Sequence, residues 1–558
     1  FHEADNFLLA QPYSGGAKYT FNASIPHSHH NGGTVIALGS ELPTDWTDHE
    51  SVAEWFLPKT GVGLGAWVLV YSGQIDVTWF GANPNFKLGV DNSLAFNRAL
   101  MIKNDIFVPP GNYIIHRPIL TNKAHASMRG SGIFITTITV ENQHWESLEF
   151  NEKEYNSAIV VTSGVQDTWI TGGTFSGFSL LGNSYEADGK HGFFFDNVCT
   201  KVSLNTIEIV AFDKGIYTYK SWLHSYHNVT ITDCRTNSIH MDSFANGYSI
   251  TGCCLYGKET VTLKHLVVEN ACYGNSFTGG AIEKCNVGVS VRNNAQINIS
   301  GTDFEEIRVL AFESTDCEKL PSKVENSSVM GNPSQSMFAT NNGYLITENN
   351  KIFNPHRQSD HTGVNPLFGD IENYVYFTSG EGGIVANNNV IDNPIRLIGG
   401  NGKVTGSDVG RLSFNKSVRS SNPNELDTYT ESNQNYFYFF TNNDESYKAV
   451  DGHVKKTQIG NTHFVEINTK LEKLGTLTGD YFTFKIPELG VQKGLFGKFV
   501  FSKSDNIISS DPIYGNIVCD NGTCYLSKTT GALLKKSELN PTENLNFFSL
   551  NMQFCDNI

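Results

Sequence analysis

From about Trp169 to Gly400 the chain returns to one pattern, unit after unit of roughly two dozen residues: a short run of Val, Ile or Phe, a Gly, Asn or Asp corner, then another apolar run. "KVSLNTIEIVAFDKGIYTY", "HNVTITDCRTNSIHM", "ETVTLKHLVVENA", "GGAIEKCNVGVSV" and "AQINISGTDFEEIRVLAF" are successive examples. A unit this short buries its apolar face only against its neighbours, so the repeat demands a solenoid, and strand-like runs make it a parallel β-helix. Composition agrees, since 17% charged residues, 52 Gly and 37 Phe favour strands and turns over helices. With 558 residues, 39% of them hydrophobic, the chain is too long for one ordinary core.

The formal net charge of -16 disfavours nucleic acid or an anionic membrane as partner, because phosphate binding needs clustered Lys and Arg. It argues only weakly against an acidic substrate, since local charge departs from the total. No apolar run of about 18 residues predicts a membrane-spanning helix, and the N-terminus lacks the pattern of a signal peptide. A first residue Phe1 suggests a processed or truncated piece.

The ten cysteines are scattered, mostly within apolar runs, as reduced buried thiols are. One pair stands out: Cys519 and Cys524 in "CDNGTC", where Asn521-Gly522 signals a hairpin that sets the two either as a disulfide or as facing free thiols. No CxxC or HExxH supports zinc. His27, His29 and His30 form a candidate metal cluster, although a polar Gly-rich loop is the usual home of such residues.

Residues 1–75 read as an irregular N-terminal segment with one short helix, "DHESVAEWFL", capped by Thr47 or Asp48. Next, "VTWFGANPNFKLGVDNSLAFNRALM" runs from a strand into an amphipathic helix with Leu94, Ala95, Ala99 and Leu100 inward and Asp91 or Ser93 at its start. "IFVPPGNYII", a strand broken at Pro109-Pro110-Gly111, and "MRGSGIFITTI" follow. This succession resembles the lead-in segment of the pectate-lyase-like right-handed β-helix, in the version found in bacteriophage tailspike depolymerases. The usual Gly-Asp-Gly is replaced by "NPNFKLG", while the acidic Asp91 remains.

The β-helix is expected over 76–408, with loops at "CEKLPSKVENSSVMGNPSQS" and "NPHRQSDHTGVNPLFGD" as candidate binding-face insertions. Over 409–558 the rhythm changes to longer alternating strands, "NYFYFF", "HFVEI", "YFTFKI", "GKFVFS" and "SLNMQF", which predict a separate C-terminal β-sandwich that binds sugar or holds subunits together. The expected fold is therefore all-β.

Within "INISGTDFEEIRVLAF", Ile297 and Ile299 alternate inward, Ser300-Gly301 bends the chain, and Phe304 points inward, leaving Asp303 and Glu305 on the outer face. One rung earlier, Ile282 is inward and Glu283 outward. Matching Ile282 to Phe304 sets Glu283 on Glu305, an offset of 22 residues. Such side chains stack roughly 5 Å apart on parallel strands, and stacked like charges raise one pKa, as a general acid beside a carboxylate requires. The bland alternative is solvated surface acids, but unpaired stacked carboxylates destabilise a ladder. Tailspike depolymerases of similar sequence carry a comparable Gly-Gly-x-x-Glu rung followed by x-Phe-Glu, which implies that Glu283, Glu305 and Asp303 are catalytic. Glu306 falls on the opposite side of the strand or at the next bend.

"YTYKSWLHSYHN" concentrates Tyr217, Tyr219, Trp222, His224 and Tyr226, a sugar platform if exposed and packing if covered. His240 and Asp242 share one side of a strand and, with Tyr219, Trp222 and Arg292, complete the candidate substrate-binding set. Three activities remain open: a glycoside hydrolase, which needs no metal or other cofactor; a polysaccharide lyase using Lys264, His265 or Arg292 beside a uronate; and a catalytically silent glycan-binding spike. The resemblance favours the hydrolase. It further implies a homotrimer on the phage tail, joined to the virion through a missing N-terminal region. Such a spike acts outside the bacterial cell on a surface polysaccharide, capsule or O-antigen.

Overall fold

The sequence repeat is realised as stacked three-faced rungs. A computed structural model describes residues 3–5, 17–41, 48–84, 90–165, 168–182, 189–199, 201–257, 262–331, 336–353, 374–391, 396–400, 403–405, 439–441, 444–459, 462–473, 483–485, 494–502, 513–520, 523–528 and 545–555. By compactness the chain divides into Phe1–Ile307 and Arg308–Ile558.

In the first unit, face one is built from Ser157–Thr162, His191–Asp196, Lys214–Tyr219, Asn237–Asp242, Lys264–Glu269 and Val287–Arg292, each paired in parallel with the next. Face two ends with Ser249–Thr251, Asn275–Thr278 and Ile297–Ser300. Face three ends with Cys254–Tyr256, Ala281–Glu283 and Asp303–Ile307. Successive parallel strands joined this way wind right-handed. Faces two and three meet at a tight corner of left-handed residues: Thr206 (φ 52), Asn228 (φ 50), Gly252 (φ 62), Gly279 and Gly280 (φ 65 and 75) and Gly301 (φ 62). A Cβ at Gly280 would lie 2.0 Å from the Cys253 carbonyl oxygen, so that position excludes any side chain.

The rung interior is apolar and aromatic. Phe193 stacks on Phe195 at 5.6 Å, and Phe195 on Tyr226 at 6.4 Å. Ile282, Ile297, Ile299 and Phe304 are fully buried, as their alternation predicts, and each such side chain contributes about 1.5–3 kcal/mol. Two imidazoles also lie inside. Burial pushes His224 down to about 3 and His265 down to about 4, so both are neutral at physiological pH.

Both short helices form. His49–Trp55 is capped by Asp48, which accepts from the Glu50 N–H at 3.2 Å. Ser93–Ile102 starts beside Asp91, whose carboxylate accepts from the Ser93 N–H at 2.9 Å. Its buried side is Ala95, Phe96, Ala99 and Leu100, whereas Leu94 is only half-buried. The expected irregular N-terminus is corrected in part: Glu3–Asp5, Lys18–Pro26, Leu64–Leu69 and Val35–Ala37 pair antiparallel in that order. His30 belongs to this fold rather than to a metal site. It is buried, donates Nε2–H to the Trp55 carbonyl (2.7 Å) and accepts the Ala37 N–H (3.1 Å) at Nδ1.

In the second unit, parallel rungs continue from Leu310–Glu325 and Ser336–Glu348 to Lys403–Thr405. The loop expected at "CEKLPSKVENSSVMGNPSQS" is strand up to Glu325 and again over Ser328–Gly331. The loop expected at "NPHRQSDHTGVNPLFGD" and the boundary expected at 408 lie outside the described residues. C-terminal strands pair antiparallel in the order Phe439–Thr441, Asp444–Ile459, Thr462–Lys473, Leu545–Cys555, Gly494–Ser502, Ile513–Asp520, Thr523–Lys528, Thr483–Lys485, which closes on itself. The region expected as a β-sandwich is, over its described strands, a closed antiparallel barrel. Cys519 and Cys524 are direct backbone partners across the antiparallel pair Ile513–Asp520 and Thr523–Lys528.

Candidate active site

Face three places the acids. Ala281 pairs with Asp303, Ile282 with Phe304 and Glu283 with Glu305, the register that the one-rung offset predicts. Tyr256 precedes Glu283 in the same column, so an exposed aromatic ring continues the line of carboxyls. Glu283 is half-buried, and its carboxyl is raised above the usual range, first by burial and then by Glu305 and Asp303. Lys284 opposes that shift, but its ammonium sits 2.7 Å from the Tyr256 hydroxyl and 3.7 Å from Glu306. Asp303 Oδ1 is buried with no hydrogen-bond partner among the described residues. Glu306 is exposed with a left-handed backbone (φ 52) and contributes only the last and smallest of the causes that act on Glu283.

Face one gathers the remaining candidates except one. Asp196, Tyr219 and Asp242 form a single column, and Arg292 pairs with Glu269. Tyr217 stacks on Phe194 at 4.8 Å and donates its hydroxyl to Asp242 at 3.1 Å. Lys153 closes one end, with Nζ 2.7 Å from Asp196 Oδ2 and 5.3 Å from the Tyr219 ring centre. His240 donates Nε2–H to Glu269 Oε1 at 2.8 Å, and this bond is the main cause of the lowered Glu269 pKa. Tyr219, His240, Asp242 and Arg292 thus share one half-buried polar and aromatic stretch of face one. Trp222 stands beyond the strand end and meets Trp169 edge-on at 5.2 Å.

Three of the residues read from sequence lie inside the fold. Tyr226 and His224 are buried in the core and offer no surface to a sugar. His265, a candidate lyase base, is fully enclosed: it donates Nε2–H to the Glu283 carbonyl at 2.6 Å and accepts from Ser238 at 2.7 Å. Glu269 and Lys153 were not singled out by sequence. Glu269 sits on the rung after His240 and would have emerged from the one-rung alignment that found Glu283, whereas the Lys153–Asp196 contact spans 43 residues without a local pattern.

No family model matches this chain, and no curated protein sequence matches it. Among solved structures, the enzymatically active domain of tailspike protein 2 from bacteriophage CBA120 aligns over 97% of this chain and 81% of that one, at 11% identity and a TM-score of 0.50. The gp42 tailspike of Acinetobacter phage vb_AbaP_AS12 aligns over 92% and 94%, at 12% identity and a TM-score of 0.48. A GH87 α-1,3-glucanase catalytic domain, solved with tetrasaccharides, covers 62% of this chain and 73% of its own, at 15% and 0.37. The class defined is an all-β parallel β-helix. Its fold is similar to that of a phage tailspike, and at 11% identity the likeness carries the fold alone.

Proposed function

We propose that this chain is a phage tailspike depolymerase that hydrolyses glycosidic bonds of a bacterial surface polysaccharide, capsule or O-antigen. The observation that carries the reading is Glu283 stacked in register on Glu305 with its own pKa raised. Glu283 holds its proton at higher pH than an ordinary glutamic acid and donates it to the glycosidic oxygen as the bond to the anomeric carbon breaks. Glu305 is the carboxylate that attacks that carbon or activates a water to do so, with Asp303 its alternate. A gap of about 5 Å between the carboxyls implies retention of configuration, and about 6.5–9.5 Å inversion. Adjacent parallel strands lie about 4.8 Å apart, which favours retention.

Tyr219, His240, Asp242 and Arg292 hold the glycan, with Trp222 at the corner. Aromatic faces stack on sugar rings while the charged groups bond hydroxyls or acidic substituents. The chain assembles as a homotrimer on the phage tail, since a solenoid with polar sides gains stability by side-by-side association. Light scattering then gives about three times the 61.6 kDa chain mass, and a monomer mass refutes this part.

Mass spectrometry of fragments from purified capsules and O-antigens tests the chemistry. Hydrolysis adds water to each new end without new ultraviolet absorbance. Unsaturated products assign a lyase instead, and binding without fragments assigns a silent receptor.

A further inference from the structure

Behind Glu283, inside the solenoid, one position carries a residue unlike its counterparts on neighbouring rungs. In register, Gly192, Gly215, Ser238, His265 and Gly288 occupy one column of face one. The column points inward, since a Cβ at Gly215 would lie 2.5 Å from the Ile231 side chain. Small residues suit so tight a place, yet the rung that ends in Glu283 puts an imidazole there. We propose that His265 is a positioning residue for Glu283, fixing from inside the peptide that follows it and with it the direction in which its carboxyl leaves the strand. This role rests on the proposed reading of Glu283 as the general acid.

Glu283 is the last residue of a three-residue strand, Ala281–Glu283, whereas Glu305 lies within the five-residue strand Asp303–Ile307. Directly after Glu283 the chain turns through Lys284 in a left-handed conformation (φ 56). In the same column the Tyr256 carbonyl accepts the Asp233 N–H at 2.9 Å, and the Glu305 carbonyl accepts the Lys284 N–H at 3.0 Å. The Glu283 carbonyl accepts the Gly257 N–H at 3.0 Å and, in addition, the His265 Nε2–H at 2.6 Å. Both lone pairs of that oxygen are then used, and two donors from different strands fix the plane of the peptide between Glu283 and Lys284.

The imidazole is itself held. Its Nδ1 accepts from Ser238 Oγ at 2.7 Å, which sets the tautomer and leaves Nε2 as the donor. Ser238 and His265 are both fully buried, and burial keeps the ring neutral, with its pKa pushed down to about 4. Taking an imidazole out of water is unfavourable unless its nitrogens are bonded, so packing alone favours a small or apolar residue here. What the imidazole adds is a tie, from Ser238 through His265 to Glu283, between two face-one strands and face three. Enclosed as it is, His265 is out of reach of a glycan.

Crystal structures and kinetics of full-length variants test this role. In His265→Met, which keeps the bulk and lacks the donor, the Glu283 carboxyl should shift by roughly 1 Å relative to Glu305. On a glycan that the wild type cleaves, kcat should fall roughly 10²-fold with KM within about 2-fold. His265→Gln, whose amide donates from near the place of Nε2, should restore the carboxyl position and bring kcat within about 3-fold of wild type. Ser238→Ala, which leaves the ring without its anchor, should give an intermediate shift and an intermediate loss. Melting curves identify any variant that fails to fold, and if His265→Met is one, Ser238→Ala decides. A Glu283 carboxyl that keeps its place in the folded variants, or equal losses in the Met and Gln proteins, overturns the proposal. Should the wild type cleave no glycan, the hydrolase reading fails, and the carboxyl position in the crystals still decides whether His265 sets it.

Discussion

Each compact unit carries two glutamates stacked in register on neighbouring rungs, and the two pairs are held differently. Glu325 stands over Glu348, and Lys323 bonds both, at 2.6 and 2.9 Å. These two bonds raise the Lys323 pKa, so the ammonium keeps its charge and neutralises the ladder. Glu283 stands over Glu305, and although Lys284 opposes the shift, burial first and then Glu305 and Asp303 raise the Glu283 pKa. Stacked acids by themselves are therefore no sign of catalysis. The informative feature is an acid whose burial and like-charged neighbours raise its pKa.

The largest test of this contrast is kinetic. Glu283→Gln and Glu305→Gln should each lose turnover by roughly 10³-fold or more with little change in glycan binding, since a general acid and its partner act in the transition state. Glu325→Gln, Glu348→Gln and Glu306→Gln should keep activity within about 2-fold, because none of them joins the pair. Equal losses from both ladders would erase the distinction.

Next in size is pH. With Glu283 raised, the alkaline limb of kcat should lie above the ordinary glutamic acid range, and Glu305→Asn, if turnover remains measurable, should move it to lower pH by removing the like charge. A limb that stays in place assigns the proton to another group. A smaller effect is expected on stability at the clamped pair. Lys323→Met should destabilise by about 0.2–1 kcal/mol at low salt and less at high salt, because the bonds are partly exposed, and urea titration reads it.

The smallest effect follows from linkage. A carboxyl raised in the folded state contributes stability below its unfolded pKa and loses it as pH rises through the folded value. Glu283→Gln should therefore leave Tm unchanged in acid and raise it by on the order of 1 °C at pH above the folded value. A Tm that is lower than wild type across the whole pH range would contradict the raised pKa.

The Glu283–Glu305 register was legible because period-two alternation fixes which side chains face outward and the rung repeat fixes the offset. Other parts were not, for physical reasons. The N-terminal sheet pairs Lys18–Pro26 with Leu64–Leu69, a contact across about forty residues with no periodic trace. The strand Leu310–Glu325 reads as a loop because Pro321 and the polar run before it occupy a bulge, where the register shifts between Cys317 and Ser322. Tyr226 and His224 look like surface groups by type. They alternate inward with Phe195, and only the packing of successive rungs shows it.

The left-handed corner between faces two and three has a consequence for how such a solenoid can diversify. It turns the chain with almost no residues to spare, so an insertion there would rotate face three and separate Glu283 from Glu305. The passage from face three to face one spans only 284–286 after one rung, but 257–263 after the rung before. Length changes tolerated at that corner alter the surface directly after Glu283 while the carboxyl pair stays on its strands. On the proposed reading, recognition can therefore change at one edge of the solenoid while Glu283 and Glu305 keep their register.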